Sequence, residues 1–331
     1  MIHLDKAARL HAESIIIDGL NISNWENRDV FVNLHKGNIT AINATIAVWE
    51  NFTETLDNIA RWYMRFEKYA DMIMPIKIAA DIEKANTERK CGIIFGFQNS
   101  SPIEDDLRRL QIFQELGVRI IQITYNYSNF VGSGYLDSSD YGLANFGVDF
   151  ISECNRLGIV IDCSHVGDRT TMDAIEASKM PITFTHAGPR ALCAHPRNKT
   201  DGQLKALAAK GGVVGAVPWP DFLAAGSKAT LADFLDTVDY LVKLIGIDHV
   251  GIGSDFIEGQ SQEWIRWLFT GRNIDREPRY QLGVPTYPEG IRSPTDFSNI
   301  TLGLLERDYS EGDVKKIMGG NFIRLFAEIW T

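Results

Sequence analysis

The chain has 331 residues, 45% of them hydrophobic and 23% charged, which is ordinary for a globular enzyme. Its net charge of −10 argues against non-specific nucleic-acid binding, which needs basic patches to displace counterions. No stretch approaches the ~20 apolar residues needed to cross a bilayer. The opening segment MIHLDKAARLHAESIIID also lacks the apolar core of a secretory signal, so a cytoplasmic protein without a membrane role is expected.

Eight short apolar, β-branched runs follow one another: Ser14–Asp18, Ile39–Val48, Gly92–Phe97, Arg119–Thr124, Ile159–Cys163, Ile182–Thr185, Gly212–Val217 and Val250–Ser254. Most gaps between them carry apolar residues three and four apart, as in Leu107–Leu116, Val148–Leu157, Thr170–Ala177 and Phe234–Ile245. Continuous apolar strands alternating with amphipathic helices imply a parallel sheet covered by helices. Eight such units favour a (β/α)8 TIM barrel over an open doubly wound sheet. No Gly-x-Gly-x-x-Gly opens a helix after the first strand, which argues against dinucleotide binding. Residues 1–331 therefore read as one barrel domain. One long stretch, Phe256–Asn299, is rich in Pro, Arg and Trp and follows the last strand. In a barrel it would cover the catalytic mouth, where long insertions commonly act as lids. The four cysteines (Cys91, Cys154, Cys163, Cys193) show no metal or disulfide spacing and fit reduced thiols.

In (β/α)8 enzymes the active site lies at the C-terminal ends of the strands. Residues ending the runs here include Leu20, Ile22, Trp49, Gln98, Tyr125, Asn126, His165, His186 and Asp255. A lone His at a strand end is usually structural. Two that close consecutive strands, ~4.8 Å apart in a parallel sheet, can converge on one ion, and imidazole suits Zn, Fe or Ni. Asp255 closes the last strand, where a carboxylate can take a proton from water and return it to a leaving amine. The structural alternative is that Asp255 caps the backbone that follows. Five Trp (Trp25, Trp49, Trp219, Trp264, Trp267) fall after strands or in the long insertion. They can pack the lid and helices or face a cationic ligand.

Several segments together resemble the membrane (renal) dipeptidase family. They are D-G-x-N at Asp18–Asn21, D-C-S-H-V at Asp162–Val166, T-H-A and H-P-R-N between Thr185 and Asn198, G-I-G-S-D-F at Gly251–Phe256, and G-G-N-F-I-R at Gly319–Arg324. The resemblance runs from about Ile15 to Phe326. It implies a zinc metallopeptidase on an amidohydrolase-like barrel, and suggests a homodimer. It makes His165 and His186 metal ligands, Asp255 the catalytic carboxylate, and Arg197 the holder of the substrate carboxylate. A guanidinium fork suits that last task.

The departures matter as much. The family's first metal is held by His-x-Asp after strand one, and those positions are Leu20 and Ile22 here. The bridging Glu is replaced by Gln98, and Tyr125 stands near where relatives place a substrate-orienting His. The expected centre holds one zinc, or another divalent metal, at most. The expected activity is hydrolysis of a small peptide, amide or amino-acid derivative, with Asp255 and Tyr125 catalytic and Arg197, Asn126 and Gln98 holding a carboxylate-bearing substrate. Two other readings stay open: a non-hydrolytic ligand-binding pseudoenzyme, and a metal-free lyase or isomerase using Asp255 and Tyr125.

Overall fold

The computed structural model describes residues 2–271 and 285–330. Nine parallel strands form one sheet: β1 (Ile17–Asn21), β2 (Ala41–Ala47), β3 (Ile73–Ile76), β4 (Cys91–Phe97), β5 (Val118–Gln122), β6 (Val160–Asp162), β7 (Thr183–Ala187), β8 (Val213–Ala216) and β9 (Val250–Ile252). All but β3 close into a barrel, because β1 pairs with β9, β2 pairs with both β1 and β4, and β4 through β9 pair in sequence. Helices follow most strands, so the fold is a (β/α)8 TIM barrel. The four helical patterns read from sequence appear as Arg108–Glu115, Asn145–Leu157, Asp168–Ala177 and Leu231–Ile245.

The eight expected strands are all present, and β3 is an addition. It pairs with the first half of β4, from Cys91 to Ile94, while the second half of the same edge pairs with β5. Its sequence, IMPI, is short and contains Pro75. Proline cannot donate to a ladder and is tolerated on a sheet edge, which is where the sheet places β3.

At one end of the barrel Ile17, Ala41, Ile94, Ile120, Val160 and Val213, one from each of six strands, pack with Phe322 and Phe326. Phe322 lies in the G-G-N-F segment. Asn321, beside it, donates to the carbonyls of Ile247 and Val250 at 2.7 Å each, tying the last helix to the start of β9. The larger core lies between the sheet and the surrounding helices. Higher in the barrel, glycines leave space that main chain fills. The pairing of β7 with β8 slips between Phe184 and Ala187. A Cβ added at Gly215 or Gly253 would stand 2.0 or 1.9 Å from the Thr185 carbonyl oxygen, and one at Gly19 would stand 2.7 Å from it. Two bare strand positions and Gly253, just past β9, thus admit the carbonyl just before His186.

After β9 come the helix Gln262–Thr270 and, beyond residues 272–284, the chain from 285. Part of the insertion read at 256–299, namely 272–284, lies outside the described residues. No helix among the described residues is long and apolar enough to cross a membrane. All four cysteines are free, with Cys91, Cys154 and Cys163 buried.

Candidate active site

The strand ends surround a cavity of about 700 Å³. Ile22, Gln98, Tyr125, Asn126, His165 and Asp255 line it from the barrel. Leu268, Phe269, Pro285 and Thr286 line it from the insertion after β9.

His165 follows β6 and His186 lies within β7, and their Nε2 atoms stand 2.9 Å apart. Each ring is fixed through its other nitrogen. His165 Nδ1 donates to Asn126 Oδ1 at 2.7 Å. His186 Nδ1 donates to Thr185 Oγ1 at 2.8 Å, and Thr185 Oγ1 donates in turn to Asp162 Oδ2 at 2.6 Å. Asp162 also accepts from Ser164 Oγ (2.6 Å), Ser164 N (2.9 Å) and Thr185 N (3.1 Å). An amide oxygen thus stands behind His165 and a hydroxyl relayed to a carboxylate behind His186, and such outer partners are how metal-ligating histidines are held. With both Nδ1 atoms donating, two Nε2 lone pairs face each other, and only a proton or a cation between them relieves the repulsion. Burial, and after it the neighbouring Arg197 charge, hold both imidazoles well below their ordinary pKa. The pair therefore keeps its lone pairs and fits a metal ion as two nitrogen donors.

It does not fit two ions. Leu20 and Ile22 are buried apolar side chains, and Gln98 donates from Nε2 to Thr45 Oγ1 at 2.9 Å. Among the described residues no group of three His, Cys, Asp or Glu gathers into a metal-binding cluster. Asn126 is placed as the partner of His165 as well as on the cavity wall.

Asp255 sits just past β9 with φ of +53°, a left-handed conformation uncommon outside glycine. Burial raises its pKa to about 8, opposed by Arg197 and reinforced by Asp18 and Asp162. Tyr125 stacks on His165 with ring centroids 4.3 Å apart and an interplanar angle of 26°. Burial, and next the charge of Asp255, push its hydroxyl well above the usual tyrosine pKa. It stays a donor at neutral pH.

Arg197 is delivered by the loop after β7, which closes through Lys199 N to Gly188 O (2.9 Å) and Arg190 N to Lys199 O (2.8 Å). The guanidinium is fully buried and lies 5.5 Å from the Phe222 ring centroid. Nη2 donates to the His186 carbonyl at 2.7 Å, while Nε and Nη1 have no hydrogen-bond partner among the described residues. Buried N–H groups are rarely left unpaired, which marks these two donors as an exception.

Sequence reading missed several residues here. Tyr135, His195 and Phe222 line the cavity, and Trp219 beside them is the one Trp of the five that does so. Trp25 instead packs on Phe31 and Trp62. Lys199 is buried beneath the loop, donates to the Val166 carbonyl at 3.0 Å, and has its pKa lowered by burial to about 7. His195 was visible in H-P-R-N, but a buried Lys beside it carries no local signal.

The description of the membrane dipeptidase family (peptidase family M19) matches residues 4–265. A dipeptidase from Claviceps purpurea, tcpJ, is 29% identical over 276 residues, spanning 80% of this chain and 57% of that protein. The chain thus spans little more than half the length of that curated relative. A solved amidohydrolase from Pseudomonas aeruginosa is 40% identical with a TM-score of 0.95, covering 98% of this chain and 99% of its own. The probable dipeptidase PvdM from the same organism, at 21% identity and a TM-score of 0.85 over 99% and 98% of the two chains, shares the fold. With four-fifths of its length matched, the chain belongs to the membrane dipeptidase family.

Proposed function

We propose that the protein is a metal-dependent hydrolase of a small, carboxylate-bearing peptide, amide or amino-acid derivative, working with at most one metal ion. The observation that carries this reading is Arg197. A permanently charged, fully buried guanidinium with unpartnered Nε and Nη1, electrostatically coupled to Tyr125, Tyr135 and Asp255, suits a substrate carboxylate. The family, and the amidohydrolase similarity at 40% identity, support hydrolysis.

His165 and His186 would hold the ion, zinc in this reading, whose chemistry is to acidify a water and polarise a carbonyl. Arg197 binds the carboxylate and fixes the scissile bond in the cavity. Asp255, with a pKa of about 8, exchanges protons near neutrality, accepting one from the attacking water and returning it to the leaving nitrogen. Tyr125 donates to the developing oxyanion, since its phenol stays protonated. Asn126 and Gln98 form the polar wall, and the apolar Ile22 faces the same space. The stretch after β9 excludes water from above through Leu268 and Phe269. The free thiols support a reducing, cytoplasmic setting.

Ordinary L-dipeptides should be poor substrates, because the carbonyl-polarising and water-activating tasks of a two-metal site fall to one ion. Removing one preorganised oxyanion donor costs about 10²–10³ in rate, and losing a metal should cost no less. The test is a panel of dipeptides and N-substituted amino acids, run on the parent, Arg197→Ala and His186→Ala, with metal per chain measured by elemental analysis. Robust cleavage of common dipeptides by the parent, lost in both variants, would replace this reading with an ordinary dipeptidase. Two metals per chain would refute the single-ion site.

A further inference from the structure

The left-handed backbone of Asp255 is held from two sides. Its N–H donates to the Leu20 carbonyl at 3.0 Å. Its carbonyl oxygen accepts from the Tyr287 hydroxyl at 2.5 Å. A non-glycine residue in this region costs of order 1–3 kcal/mol and persists only where its surroundings over-determine it. Leu20 alone provides one such restraint, and Tyr287 provides the other from 32 residues further along the chain.

Tyr287 is itself fixed. Its ring packs edge-on against Phe256 at 4.8 Å and against Trp219 at 5.9 Å, and it is 8% exposed. Phe256 is the residue after Asp255, and Trp219 lines the cavity. The groups electrostatically coupled to Asp255 are Arg197 from the loop after β7, Asp18 from β1, Asp162 from β6, and the phenols of Tyr125 and Tyr287. Among the described residues none of them hydrogen-bonds to the Asp255 carboxyl. What aims that carboxyl is its own backbone.

A second tie reaches the opposite side of the site. Trp49 Nε1 donates to the Leu268 carbonyl at 2.9 Å, and the Trp49 ring meets Tyr125 edge-on at 5.3 Å. Tyr125 in turn stacks on His165. The insertion therefore touches both flanks of the site, but among its described residues only Tyr287 bonds directly to the backbone of a reacting residue.

We propose that Tyr287 is a positioning residue, its hydroxyl locking the Asp255 backbone in the conformation that presents the carboxyl to the cavity. This rests on the role of Asp255 in the proposed hydrolysis. A side chain carried by the covering segment then sets the geometry of the acid–base group, so substrate enclosure and proton transfer share one structural element.

The test is Tyr287→Phe, which removes one oxygen and keeps the ring packing. Loss of the bond to Asp255, together with the Ile257 backbone contact at the same oxygen, predicts kcat lower by about five- to tenfold with KM within about twofold, on the best substrate of the panel. Trp49→Phe, which cuts the other tie, should leave the Asp255 backbone unmoved. Hydrogen–deuterium exchange supplies a readout independent of turnover. The Asp255 amide should exchange at least threefold faster in Tyr287→Phe and at the parental rate in Trp49→Phe. Unchanged exchange in Tyr287→Phe overturns the proposal, as does faster exchange accompanied by parental kcat. Should the parent turn over nothing, the hydrolase reading fails by itself, and the exchange experiment still decides whether Tyr287 fixes Asp255.

Discussion

The two sides of the barrel mouth are built alike and equipped differently. On the β6–β7 side, buried Asp162 accepts from Ser164 and Thr185 and joins the two strands. On the β9–β1 side, buried Asp18 does the same, accepting from Ser254 N at 2.7 Å, Ser254 Oγ at 2.5 Å, Leu20 N and Asn21 Nδ2. Burial raises both carboxyls, Asp18 to about 6, against the pull of those hydrogen bonds. The Asp162 staple supports His186 through Thr185. The Asp18 staple supports Leu20 and Asn21, and then the apolar Ile22. The Asp18 scaffold keeps its hydrogen bonds although Leu20 and Ile22 offer no metal donor, because the staple bonds backbone, the Ser254 hydroxyl and the Asn21 amide rather than those two side chains.

The largest effect expected from probing this asymmetry is at Arg197, on the equipped side. Arg197→Ala should lower kcat/KM by about 10²-fold for carboxylate-bearing substrates, since charge-assisted bonds contribute roughly 1.5–3 kcal/mol each. It should have far less effect on amides lacking the carboxylate. Equal losses on both kinds of substrate would remove Arg197 from substrate binding.

The two staples can then be compared directly. Asp18→Asn and Asp162→Asn should each destabilise the fold by about 1–3 kcal/mol, measured by denaturant unfolding. Only Asp162→Asn should also reduce metal retention or turnover, because only that staple orients a ligand ring. Parallel effects on both properties would erase the distinction between the sides.

Stability against pH sharpens the role of Asp255. Its folded pKa lies above the unfolded value, so its favourable contribution is complete below the unfolded pKa near 3.8 and is lost as pH rises through about 8. Asp255→Asn removes this liability. Its melting temperature should match the parent's at pH 4 and exceed it by a growing margin, a few degrees, up to pH 8. A margin that shrinks as pH rises would mean Asp255 is ionised in the folded protein.

The smallest expected effect is a null. Leu20→His with Ile22→Asp should not raise the metal content above one ion per chain, since Gln98 cannot supply a bridging carboxylate. Adding Gln98→Glu is the change expected to admit a second ion. A second ion in the double variant would show that the bridge is dispensable.

Much of the site could be read before folding because barrel geometry turns strand ends into a mouth. His165, Asp255 and Gln98 each end an apolar run and each line the cavity. Asn126, expected to hold substrate, lines the cavity, and its oxygen also fixes the His165 ring, a pairing across 39 residues that spacing cannot reveal. His186 lies inside β7 rather than after it, because the strand slips register where Gly19, Gly215 and Gly253 make room for the Thr185 carbonyl. Those glycines look like ordinary breaks in apolar runs until the three strands surround one oxygen atom.

The sequence by itself determined the barrel, the order of its eight strands, the absence of donors at Leu20 and Ile22, and the ends where chemistry could sit. Those are properties of local periodicity and residue type, and they need no knowledge of neighbours. Only the tertiary structure decided that β3 joins half of one edge, that Arg197 keeps donors unpaired among the described residues, that the two imidazoles turn their Nε2 atoms toward each other while separate partners hold their Nδ1 atoms, and that Tyr287 reaches back to Asp255. Each depends on atoms from distant segments meeting within hydrogen-bond range. Burial then sets the energies, because a charge or a donor removed from water takes its value from whatever the fold places beside it.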